Sequence, residues 1–205
     1  GRVAGKNNYR IDYFLKYEDR IEKERLMRET DVSGFLKSYE VFHRERLELL
    51  DLHYKMLSID SNFYQMEQKR IQLESAADML RYFKGNGAHT LFPEESIQFI
   101  RSSVRDGLNT KNLPNIDIYR LYEDLVLDYV DFELIHTEPP VEANLGNRIS
   151  FSNKYFSGRT RKYVQQKLVY NTLEKSNNNT EKALLLNYFS AKISDPDIIA
   201  MINME

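Results

Sequence analysis

Apolar residues in this chain recur every third or fourth position and nowhere alternate singly, a spacing that fits helices and leaves no strand to build a sheet. Residues 8 to 29 place Phe14, Tyr17 and Ile21 on one stripe, with six basic and six acidic residues over the rest of the segment. Asp31 or Ser33 can cap a second helix whose inner face reads Leu36, Tyr39, His43, Leu47, Leu50, Tyr54, Leu57. Ser61, with Asp60 beside it, caps a third with Phe63, Met66, Leu73, Ala77 and Leu80 inward, and Gly85-Asn86-Gly87 stops it. Further helices are expected from Glu94 to Arg105, after Pro114-Asn115 (Ile118, Leu121, Leu125, Tyr129, Phe132 on one face), from Arg159 to Lys175, from Thr180 to Ile193, and after Asp195-Pro196. The expected architecture is all-α, about seven to nine helices. Residues 1–138 form an N-terminal bundle, 139–150 a Pro-, Gly- and Asn-containing hinge, and 151–205 a C-terminal helical unit that opens on an aromatic turn (Phe151, Tyr155, Phe156).

Composition narrows the chemistry. With no cysteine among 205 residues, the chain has no thiol nucleophile, no redox pair and no cysteine zinc site, and no glycine-rich phosphate loop is present. A net charge of −2 gives no overall pull toward nucleic acid, and no stretch approaches the roughly 20 apolar residues that cross a bilayer. The chain begins Gly1-Arg2-Val3, which reads as a mature or excised piece of a longer product.

Three constellations could carry function. Two Glu-x-x-His motifs, Glu40 with His43 and Glu133 with His136, have the i, i+3 spacing that ferritin-like bundles use for a di-iron carboxylate site, and Glu18 could add a ligand. The alternative is that both histidines are satisfied core residues, with no cofactor. Second, Asp117 to Glu142 holds eight acidic residues and one basic, while Arg159 to Lys175 holds five basic and one acidic. Basic and aromatic side chains mix in the latter, yet no nucleic-acid-binding signature accompanies them, and no nucleic-acid partner is expected. Arg159, Arg161 and Lys162 are expected to face solvent and meet a partner, such as the acidic helix around Asp124, Asp128 and Asp131. Tyr155 or Phe156 should anchor the unit, and Gly158 should adopt a left-handed conformation. Third, Tyr9, Tyr13 and Tyr17 share a helix face, suited either to the core or to an interface.

Several strings carry a resemblance: 13–22 (Tyr-Phe-Leu-Lys-Tyr-Glu-Asp-Arg-Ile-Glu), 46–51 (Arg-Leu-Glu-Leu-Leu-Asp), 125–129 (Leu-Val-Leu-Asp-Tyr) and above all 154–168 (Lys-Tyr-Phe-Ser-Gly-Arg-Thr-Arg-Lys-Tyr-Val-Gln-Gln-Lys-Leu). With these the chain resembles the helical region that precedes the thioredoxin-like domain in multi-domain thiol–disulfide interchange proteins of Bacteroidetes. The resemblance implies a periplasmic or envelope location, and a non-catalytic helical scaffold or interaction domain. Its partner would be another protein or a covalently attached thioredoxin-like domain, and it could form an oligomer. No redox residue transfers, because that family's Cys-x-x-Cys has no counterpart here.

Overall fold

A computed structural model describes residues 2–17, 20–28, 31–86, 92–108, 116–176 and 178–202; the side chains at 2, 20–23, 105–108, 116–124, 159, 201 and 202 lie outside that description. The chain is all-α. The described residues form ten helices and no strand: α1 (Arg2–Tyr17), α2 (Arg20–Met27), α3 (Val32–Lys55), α4 (Ser61–Asn86), α5 (Glu94–Leu108), α6 (Ile116–Ile135), α7 (Leu145–Tyr155), α8 (Gly158–Lys175), α9 (Asn179–Lys192) and α10 (Pro196–Ile202). They divide into two compact units, Gly1–Leu125 and Val126–Glu205, with the boundary inside α6.

In the first unit α3 packs on α1, α2 and α4, and α4 packs on α5. Asp31 caps α3 through Gly34 N–H at 2.9 Å, and Asp60 rather than Ser61 caps α4, accepting from Phe63 N–H at 2.8 Å. The stripe actually buried on α3 is Phe35, Tyr39, Phe42, Arg46, Leu50 and His53, rotated from the expected one: Leu36, His43 and Leu47 are half-buried, and Tyr54 and Leu57 are exposed. A charged residue caused this. Arg46 looks like a surface residue, yet it enters the core because its guanidinium finds aromatic and carboxylate partners there.

The α1 helix departs further. Its buried residues are Tyr9, Tyr13 and Tyr17, while Phe14 is 61% exposed and Ile21 falls among the side chains not described. Successive rings at i, i+4 and i+8 lie 5.8 and 5.4 Å apart, centre to centre. The core reading of these tyrosines therefore holds, and the stripe through Phe14 does not.

Between α3 and α4 the chain closes a paired-hydrogen-bond stop. Leu57 N–H reaches Tyr54 O at 3.0 Å and Ser58 N–H reaches His53 O at 3.1 Å, with Leu57 left-handed at φ +54°. Gly5 of α1 presses on this turn. A Cβ there would sit 1.9 Å from Ser58 O, so only glycine lets the helix come so close.

In the second unit α7 packs on α8, and α8, α9 and α10 pack on one another. The expected loop over 139–150 is shorter than read. Asn144 accepts from Asn147 N–H at 3.0 Å and starts α7, so Leu145 to Ser150 are helical and the aromatic turn is the end of an 11-residue helix. Gly146 and Asn147 suggested a loop, but in a first turn they cost little, because that turn's N–H groups have no intrahelical partners anyway. Gly158 is left-handed at φ +51°, as expected, and follows the N-cap position Ser157. Phe156 is buried and Tyr155 is 55% exposed, so Phe156 is the anchor.

Candidate functional site

The densest chemistry in the first unit is a charged cluster inside the α1–α3–α4 layer. Arg46, on α3, is 1% exposed. Its Nη1 donates to Glu74 Oε2 at 3.2 Å and to the Tyr13 hydroxyl at 3.3 Å; its Nη2 donates to Ser75 Oγ at 2.5 Å and to the Tyr39 hydroxyl at 3.4 Å. The guanidinium also lies 4.7 Å from the centre of the Phe42 ring, which takes its flat face. Nε has no hydrogen-bond partner among the described residues.

A ladder on α4 continues the cluster. Arg70 Nε donates to Glu67 at 2.8 Å, its Nη1 pairs closely with Glu74, and its guanidinium covers the Tyr13 ring at 4.4 Å. Tyr13 donates to Glu74 at 2.9 Å. Further along, Tyr39 donates to Asp78 at 2.7 Å, and Arg81 reaches the other Asp78 oxygen at 3.1 Å. Three guanidinium groups thus meet three carboxylates, with phenol hydroxyls linking them. Burial, then the Glu74 charge, pushes the Tyr13 phenol well above its usual range; burial, then Asp78, does the same to Tyr39. Both rings stay neutral donors at any physiological pH. What this arrangement does is lock three helices together.

Beside it, Met27, Asp78, Arg81, Tyr82, Gly85 and Asn86 line a cleft of about 280 Å³. That is just under the roughly 300 Å³ at which small-molecule sites begin.

The Glu-x-x-His residues are occupied differently from a metal site. On α3, Glu40 is exposed, whereas His43 is half-buried and turns its Nδ1 to Ser75 Oγ at 2.7 Å, with Phe99 edge-on to its ring. Burial, then Arg46, lowers the His43 pKa to about 4, so the ring is neutral. On α6, Glu133 is buried; just past its end, His136 Nδ1 donates to Phe132 O at 2.8 Å, its ring against Phe132. Glu18 lies outside the described residues. Among the described residues no three His, Asp or Glu side chains are grouped to hold a metal ion.

The basic residues of α8 are distributed as follows. Lys162 pairs with Asp197 of α10, and Arg161 is half-exposed. Arg159 lies in the first turn of α8, but its side chain lies outside the described ones, as does that of Asp124. Asp131, one of the three acids foreseen as their partners, is held bidentately by Arg148 of α7 at 2.6 and 2.7 Å. Buried Gln165 ties α8 to α7 through Asn153 at 2.7 Å and Ser152 at 3.2 Å.

Sequence reasoning missed Arg46, Glu67 and the role of the tyrosine hydroxyls. The available signal was phase: residues 39, 42, 46, 50 and 53 keep three- and four-residue spacing, and Glu67, Arg70 and Glu74 are placed for an i, i+3, i+4 ladder.

No family model, curated protein or solved structure matches the chain.

Proposed function

We propose that this chain is a non-catalytic helical scaffold and interaction domain, part of an envelope-located thiol–disulfide interchange protein whose redox chemistry resides in a thioredoxin-like domain. The observation that carries the reading is the closed ionic cluster. Arg46, Arg70 and Arg81 are matched internally to Glu74, Glu67 and Asp78, which makes α1, α3 and α4 one stiff layer while large apolar side chains such as Phe14 and Leu15 point outward. A stiff layer with an exposed apolar side positions other things. The chain lacks cysteine, and thiol exchange needs an attacking thiolate, so the exchange itself belongs elsewhere. The resemblance of residues 154–168 to regions that precede thioredoxin-like domains supports assigning it to such a domain.

The test is calorimetric titration of the purified chain with the thioredoxin-like domain encoded in the same reading frame. Saturable binding, together with insulin reduction by the domain and none by the chain alone, is the expected result. Insulin reduction by the chain, or a reading frame without any Cys-x-x-Cys domain, overturns the proposal.

A further inference from the structure

We draw no further inference here: the strongest candidate, the outward surface patch of α1 formed by Val3, Ile11, Phe14 and Leu15, carries nothing because nothing in the structure shows what covers it.

Discussion

The hydroxyl of Tyr39 donates to Asp78 Oδ2 at 2.7 Å, and both residues are wholly withdrawn from water. A carboxylate at that depth depends on each donor it has. Tyr39→Phe keeps the ring beside Phe35 and removes only the hydroxyl, which donates to Asp78 and accepts from Arg46, so it should destabilise the fold by about 1–3 kcal/mol. Urea denaturation should show a lower midpoint at unchanged slope; an unchanged midpoint would mean that Asp78 is satisfied without Tyr39.

Arg46 should be the costliest single truncation in the first unit. Arg46→Ala leaves Glu74 and three buried hydroxyls, those of Tyr13, Tyr39 and Ser75, short of a cation and opens a cavity, a loss of about 3–5 kcal/mol. Arg46→Met restores volume and should lose less. A double-mutant cycle with Glu74→Gln should return a coupling of about 1 kcal/mol or more, and independence of the two changes would show that the pair does not interact.

His43 predicts an acid-side loss of stability. Its folded pKa, about 4, lies below the ordinary 6.5, so between those values the unfolded chain binds more protons than the folded one. Stability therefore rises with pH through that window. The penalty is absent above about pH 6.5, grows as pH falls, and is complete below about 4. Carboxylates titrate nearby, so the comparison is with His43→Gln, whose stability should fall less between pH 6.5 and 4; parallel profiles would refute the assignment.

Leu57 is an 84% exposed leucine in a left-handed conformation, which costs an L-residue about 1 kcal/mol. Leu57→Gly should accordingly raise stability by about that much. Gly5→Ala should do the reverse and more strongly, because its methyl group meets the Ser58 carbonyl. Thermal melts of both variants check this, and a destabilising Leu57→Gly would show that the side chain has a packing role.

In the second unit Phe156→Ala should cost about 3 kcal/mol, whereas Arg161→Ala should stay within about 0.5 kcal/mol. The reverse order in denaturant melts would make this segment an ionic site rather than an aromatic anchor.

The helices themselves were legible because caps and breakers stand at their ends: Asp31, Asp60, Asn178 and Asp195 each accept from the first turn they precede. Which side of a helix faces inward was less legible where polar and apolar residues exchange their usual places. Tyr13 and Tyr17 take the inside of α1 because their hydroxyls have partners in Glu74 and the Glu45 carbonyl, while Phe14 does not need the core to fill it. Arg46 and Glu67 are buried for the same reason, and hydrophobic pattern alone assigns such residues to solvent. Gly146 and Asn147 put residues 145–150 in the expected 139–150 loop, whereas the Asn144 cap makes them the first turns of a helix. The Glu-x-x-His spacing was visible, but spacing does not reveal that His43 already faces Ser75 and that His136 bonds the Phe132 carbonyl.

The most direct measurement of the proposed scaffold function is insulin reduction by the thioredoxin-like domain that the proposal places in the same reading frame, with and without this chain fused ahead of it. The predicted result is background activity for the chain alone, and for the fusion a lower KM toward the protein disulfide with kcat on a small disulfide unchanged. Reduction by the chain alone, or kinetics of the fusion identical to those of the isolated domain, would contradict it.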